Sequence, residues 1–477
     1  MTSRRTTGWT LGVLLGLLGL TPLVGATPLS LEEVLGSTRE RYPGMEAARQ
    51  GIATAEAELL AARGRFDTRV RTQGSVMPLG YYQRERLDAV IEQPLPLLGT
   101  RLFAGYRLGR GDFPVYYGEY ETLTRGELRA GLELSLWRNG LVDPRRAGVS
   151  QARLRRELAT FTFAGERLEL QRSAAYQYWD WVAAGRRLRI AEAQYALAVA
   201  RHEQLARRVA AGDIPEIEHT ENERVLLGRD AARVAARRAL QRTALSLSLY
   251  LRDARGEPHV VEPVRLPESI PVPETALEAE LGTWIDRALR DRPELRELAL
   301  QGEVLQVDVD LARNQAAPAV DLGLSVARDV GAGPDSLRPT EFQASLTLDI
   351  PLQAREARGK RRSAEAKRAA VEARARLERD RIIMEVRDTL SALEASHARV
   401  GLVHRAAEVA RRLAQAELTR FEHGATSLLI VNQREQAAAE AEVEEVNAQV
   451  DYQRAVVDLL TATVALEPRP EGGATRE

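Results

Sequence analysis

Apolar residues recur along this chain with two different periods. Between Arg355 and Gly424, Val386, Leu390, Leu393, Val400, Val403, Ala407, Ala410, Ala414 and Phe421 step by threes and fours, or by sums of these. That is the spacing of a coiled-coil seam, and its alanines allow neighbouring helices to approach closely. No proline interrupts this stretch or the one from Pro144 to Gly212, and Ala, Arg, Glu and Leu dominate both. All four are good helix formers. Each stretch predicts a helix of some 68 residues, a rod on the order of 100 Å at 1.5 Å per residue. A second long helix returns after each glycine, roughly Glu216 to Leu251 and Ser427 to Leu466. Each half therefore holds an antiparallel helical hairpin turning at Gly212 or Gly424, where glycine can take the left-handed conformation that ends a helix. Near the start, Ser30-Leu31-Glu32-Glu33 has capping-box spacing, with Ser30 accepting from the third helical amide and Glu33 reaching back.

The second period is two. Val320, Leu322, Leu324 and Val326 alternate with Asp321, Gly323, Ser325 and Ala327. Phe342, Ala344, Leu346, Leu348 and Ile350 alternate with Gln343, Ser345, Thr347 and Asp349, and Leu128, Ala130, Leu132, Leu134 and Leu136 repeat the pattern. One apolar and one small-or-polar face suits a strand over a soluble core, and equally a barrel with lipid outside and water inside. Two hairpins give four strands per chain. Four strands cannot close a pore, and open sheet edges are not tolerated in lipid. Several copies must then complete the wall; three would give twelve strands and a tube of twelve long helices. Between Val76 and Leu128 lie about 50 residues, against 15 between Val326 and Phe342. An elaborated loop is the preferred reading of this 77–127 insertion; strands at Arg86 to Ile91 and Leu102 to Leu108 are the other, making eighteen strands for three chains.

The elements come in the same order twice. With Pro43 placed over Pro293, Ala62-Arg63 falls on Ala312-Arg313, Val70 on Val320 and Ser75-Val76 on Ser325-Val326. An offset of 212 in place of 250 sets Arg208 and Gly212 over Arg420 and Gly424. The chain reads as a duplication, with repeats over 27–254 and 274–467, a Pro/Gly-rich link over 255–273 and a disordered tail over 468–477. Arg4 and Arg5, the apolar run Trp9 to Leu20 and the small residues Val24-Gly25-Ala26 read as a secretory signal over 1–26, cleaved after Ala26. That run is shorter than the ~20 residues a spanning helix needs.

Composition removes several function classes. The 67 basic and 68 acidic residues leave no electrostatic case for nucleic acid, and with no cysteine there is no disulfide, thiolate metal site or cysteine nucleophile. Ten of the 24 aromatic residues lie between Phe66 and Trp137. Phe103, Tyr106, Phe113, Tyr116, Tyr117 and Tyr120 read either as an interfacial girdle or as loop packing.

Arg292-Pro293-Glu294-Leu295, Ala312-Arg313 leading through Pro318 into a strand, Phe421-Glu422-His423-Gly424-Ala425-Thr426-Ser427, and Tyr452, Ala455 and Leu459 together resemble the TolC-like outer-membrane efflux proteins of Gram-negative bacteria. The resemblance covers essentially the whole chain beyond the signal. It implies a mainly α protein with a β-barrel portion: duplicated helical hairpins form a long periplasmic α-barrel, and a homotrimer builds a twelve-stranded transmembrane barrel in outer-membrane lipid. It also implies a periplasmic adaptor and an inner-membrane transporter as partners, passive export of small toxic molecules or proteins, no cofactor and no catalysis. Members of that family often carry aspartates six and nine residues after the second tip glycine. Here those positions are Ile430 and Gln433, whereas the first half has Glu218 and Glu221. An acidic constriction ring from Glu218 and Glu221 is one expectation, and a solvated helix face is the other. Arg208 and Arg420, four residues before Gly212 and Gly424, are candidate adaptor contacts.

Two other classes remain for comparison. Glu216-x-x-His219 and Glu394-x-x-His397 have the carboxylate–histidine spacing of di-metal helical bundles. The hairpin arrangement separates them by on the order of 30 Å. His202, His259, His404 and His423 read as surface residues. A soluble periplasmic coiled-coil adaptor or scaffold would share the rods but has no need of paired amphipathic strands.

Overall fold

The computed structural model describes residues 27–113, 121–273 and 280–466. The expected signal, the tail, and Tyr116, Tyr117 and Tyr120 lie outside the described residues. The first half runs α1 (Leu31–Arg41), α2 (Pro43–Arg63), β1 (Arg69–Met77), β2 (Arg84–Pro94), β3 (Arg101–Gly111), β4 (Glu127–Ser135), α3 (Pro144–Ala210) and α4 (Glu216–Leu247). The second runs α5 (Leu281–Asp291), α6 (Pro293–Gln315), β5 (Ala319–Asp329), β6 (Glu341–Asp349), α7 (Arg355–Glu422) and α8 (Leu428–Ala462). Among the described residues no helix is long and apolar enough to cross a membrane.

Local chemistry explains the helix boundaries. Asp143 caps α3, its Oδ1 accepting from the amides of Arg145 at 2.7 Å and Arg146 at 3.0 Å, with Pro144 in the first turn where no amide is needed. Ser30 Oγ accepts from the Glu33 amide at 3.1 Å. The reciprocal half of the expected capping box is missing, because the Glu33 carboxylate turns to Arg265, whose Nη2 lies 2.6 Å away. That ion pair fastens α1 to the segment between the halves. The 255–273 segment is more than a link, since Val261, Leu266 and Ile270 are buried against Trp181, Leu247 and Val450 in the main core. The seam positions Val386, Leu393, Val400 and Ala407 are all buried, and α7 packs along α8 as α3 packs along α4.

The six strands form one antiparallel sheet in sequence order, β1 to β6. The expectation of four strands, with a loop over 77–127, is therefore corrected: that stretch contributes β2, β3 and the start of β4. Leu87, Ala89 and Ile91 share a face, and Leu102, Ala104 and Tyr106 continue it, but arginines and carboxylates at the intervening positions gave these segments the polarity of a loop.

Candidate functional site

Two regions carry the chemistry: the two faces of the sheet, and the turns at the far ends of the long helices.

The ladder register sorts the sheet side chains. Leu128, Ala130, Leu132 and Leu134 of β4 stand beside Leu322, Leu324 and Val326 of β5, which stand beside Phe342, Ala344 and Leu346 of β6. The same face continues through Leu102, Ala104 and Tyr106 of β3, Ala89 and Ile91 of β2, and Val70 of β1. Many of its large side chains are exposed, Phe342 at 84% and Val70 at 71%, and Leu132, Leu322 and Val326 are half-exposed. A soluble sheet hides its apolar face; this one displays it, and a contiguous exposed apolar surface of this kind marks contact with lipid or protein. The opposite face carries ions. Asp88 of β2 accepts from Arg129 of β4 at 2.7 Å and Arg107 of β3 at 3.3 Å. Glu92 of β2 pairs with Arg101 of β3 at 3.3 Å, and Arg101 pairs in turn with Glu133 of β4. Phe103 lies on this polar face, covering Gly131, where an added Cβ would come within 2.6 Å of its ring. It takes no part in an outward girdle. Tyr106 is on the apolar face with its hydroxyl donating to the Arg125 carbonyl at 2.9 Å, and Phe113 receives the Arg84 guanidinium over its ring at 5.9 Å.

The two helical turns have the same backbone design. Gly212 has φ +77° and Gly424 φ +70°. The Gly212 amide donates to the Val209 carbonyl and the Asp213 amide to the Arg208 carbonyl, both at 2.9 Å. In the second half the Gly424 amide reaches Phe421 at 2.9 Å and the Ala425 amide reaches Arg420 at 2.8 Å. This paired closure uses otherwise orphaned helix carbonyls and needs a left-handed residue at the glycine position. Arg208 and Arg420 thus occupy one structural position. Arg208 is exposed, whereas the Arg420 guanidinium is held by Glu417 at 3.2 Å.

Glu218 and Glu221 sit half-buried in the first turns of α4. Glu221 is tied to Arg224 at 2.6 Å, and that hydrogen bond holds its carboxyl below the usual range. Ile430 is half-buried and Gln433 exposed on α8. His202, expected at the surface, is half-buried: its ring lies 4.2 Å from that of His219, with His202 Nδ1 and His219 Nε2 both buried. His397 is elsewhere, on α7 against the Tyr452 ring at 5.6 Å, so the structure does not bring the two Glu-x-x-His pairs together. His259, His404 and His423 are exposed.

Sequence reasoning missed a buried ionic cluster. Arg201 of α3, Arg229 of α4 and Glu435 of α8 are each at least nine-tenths buried, and Asn432 Oδ1 accepts from Arg201 at 3.2 Å. The signal was a charged residue within an apolar seam, as in Ala198, Arg201 and Leu205, all buried on one helical stripe. Arg292, from the quoted Arg-Pro-Glu-Leu motif, is buried too, and its Nε donates to the Ala462 carbonyl at the end of α8 at 2.8 Å.

Residues 284–463 match the family described as outer membrane efflux protein. No curated protein matches in sequence. Among solved structures, the CmeC outer membrane channel of Campylobacter jejuni superposes with a TM-score of 0.64 at 14% identity, over 99% of this chain and 95% of that one. The outer membrane protein VceC of Vibrio cholerae gives 0.63 at 18% identity, over 91% and 95%. The MtrE outer membrane channel of Neisseria gonorrhoeae gives 0.67 at 15% identity, over 92% and 89%. Residues 284–463 are thus similar to the outer membrane efflux protein family, and over nearly its whole length the chain has the helical and β-sheet fold of such channels.

Proposed function

We propose that this protein is the outer-membrane exit duct of a tripartite efflux or type I secretion system. It is a passive homotrimeric conduit for small toxic molecules or proteins, energised by an inner-membrane transporter through a periplasmic adaptor. The observation that carries this reading is the sheet with an exposed apolar face, an ion-paired opposite face, and two edges, β1 and β6, without a partner among the described residues. Unpaired backbone groups in hydrocarbon cost several kcal/mol each, so such a sheet needs sister copies to close it. The paired rods of α3, α4, α7 and α8, the longer two on the order of 100 Å, suit a tube that crosses the periplasm. A soluble adaptor or scaffold gains nothing from an outward apolar sheet face, and a duct carries out no bond-making step, so neither an adaptor nor an enzyme is favoured. Fractionation of the cell envelope, followed by mass measurement of detergent-extracted protein, tests the proposal. Trimers in the outer membrane are expected, and a lone copy in the periplasm would overturn it.

Within this reading, Glu218 and Glu221 ring the constriction and favour cations, while Ile430 and Gln433 give the second hairpin an uncharged counterpart. The Glu221–Arg224 pair leaves Glu218 as the stronger contributor. Planar-bilayer recording of Glu218→Ala with Glu221→Ala should show reduced cation preference; unaltered conductance and selectivity would refute the ring. Arg208 and Arg420, beside Gly212 and Gly424, are offered to the adaptor. The exposed Arg208 is the better candidate, and Arg208→Glu should weaken adaptor pull-down without altering trimer formation.

A further inference from the structure

The strands that the four-strand expectation left out sit in the middle of the sheet. β2 and β3 pair with each other along their full lengths, β1 pairs along β2, and β4 pairs along β3. The hairpin cannot leave the sheet without breaking both outer ladders. Each of its strands has eleven residues, the length of a tilted strand crossing a bilayer. Leu87, Ile91 and Leu102 extend the exposed apolar face across the hairpin. On the other face, Asp88 and Glu92 join arginines of β1, β3 and β4, including Arg71 at 3.8 Å. These cross-strand pairs bind the hairpin to its neighbours on both sides.

We propose that the β2–β3 hairpin is part of the membrane wall, so that three copies with six strands each close an eighteen-stranded barrel, β1 of one copy pairing with β6 of the next. The inference rests on the trimeric duct reading. Strand directions permit the closure, because β1 leaves the helices at Arg69 and β6 returns to them at Asp349, making the seam antiparallel like the rest. Charge is complementary there as well. Arg69 and Arg71 line the polar face of β1 at the helix end, and Asp349 lines that of β6 at the same end. Closure also satisfies the backbone groups of both edges, which lipid would otherwise leave bare. Barrels of 16–18 strands enclose an aqueous channel, so this end of the conduit is wide and lined by paired ions.

Electron cryomicroscopy of the trimer in lipid nanodiscs counts the strands directly. Eighteen strands are expected. A trimeric barrel of twelve, with β1 on β4 and the hairpin outside the membrane, would overturn the inference and leave the duct standing, whereas absence of a trimer would overturn both. The cysteine-free sequence allows an independent measurement in intact outer membranes. Ile91→Cys and Leu102→Cys should show the same loss of labelling by a water-soluble maleimide as Leu346→Cys on β6, with Tyr81→Cys in the exposed turn labelling freely. Free labelling at Ile91→Cys and Leu102→Cys beside a protected Leu346→Cys would overturn the hairpin's place in the wall.

Discussion

Arg201 Nη1 of α3 lies 2.8 Å from Glu435 Oε2 of α8, and the same oxygen accepts from Arg229 Nη2 of α4 at 2.9 Å. One carboxylate thus joins both helices of the first hairpin to the returning helix of the second. It lies eleven residues beyond Gly424, roughly 16 Å along the rod from the tip. Two guanidinium groups share this single buried anion, and the spare donors go to Asn432 Oδ1 and to the Gln194 carbonyl at 3.1 Å.

Removing Glu435 strands two buried cations, which costs about 3–5 kcal/mol. Glu435→Ala should loosen the hold between the hairpins and raise the basal conductance of the trimer in planar bilayers. Arg229→Met should have a much smaller effect, because the Arg201–Glu435 pair left behind is neutral and bidentate. Equal conductance changes in the two variants would contradict this ordering.

The cluster also sets a pH dependence. Burial by itself would raise the Glu435 carboxyl, but hydrogen bonds from Arg201 and Arg229 and their charge outweigh it, so it sits below the ordinary glutamate range. A depressed folded-state value means the stabilisation is complete above the unfolded value of about 4.3 and disappears as pH falls through the lower folded value. Conductance or proteolytic accessibility of the helical end should therefore stay flat from neutral pH down to about pH 5 and rise only under more acidic conditions. Glu435→Gln should remove this cluster's contribution to the acid response.

Much of this architecture is legible in the sequence because long helices repeat one rule many times. The seam through Val386, Leu393, Val400 and Ala407 and the glycines at both tips give the rods and their ends to within a few residues. β2 and β3 were harder for a physical reason. Arg86, Asp88, Glu92, Arg101 and Arg107 line one face of these strands, and dense charge is ordinarily the mark of a loop. The Arg201–Arg229–Glu435 cluster was hidden differently, since its members lie on three helices and only the fold shows that they meet. The break in the apolar stripe at Arg201 announced a buried charge without naming its partners.

The two tip glycines make matched predictions. A Cβ added at Gly212 or Gly424 meets nothing within 4 Å, so alanine there is strained only by its left-handed backbone, at about 1–2 kcal/mol. Gly212→Ala and Gly424→Ala should each lower the urea midpoint for loss of helical circular dichroism, and Gly212→Asn and Gly424→Asn should recover part of the loss. Asparagine tolerates this backbone region better than alanine, whereas a steric clash would penalise the larger asparagine more.

The sheet faces make the final prediction. Leu324 stands mid-strand on the exposed apolar face, between Leu132 and Ala344, while Gln343 stands on the ionic face one ladder step away. An arginine in contact with lipid near the bilayer midplane costs about 2–4 kcal/mol, whereas one facing water costs little. Leu324→Arg should therefore deplete trimer from the outer membrane, and Gln343→Arg should assemble normally while shifting ion preference toward anions. The reverse pattern would mean the sheet faces are turned the other way, with Asp88, Arg129 and Glu92 toward the hydrocarbon. Those groups would then have to hold their charges in lipid, where even paired ions carry a desolvation cost of several kcal/mol each, so the assignment of faces follows from where charge can be hydrated.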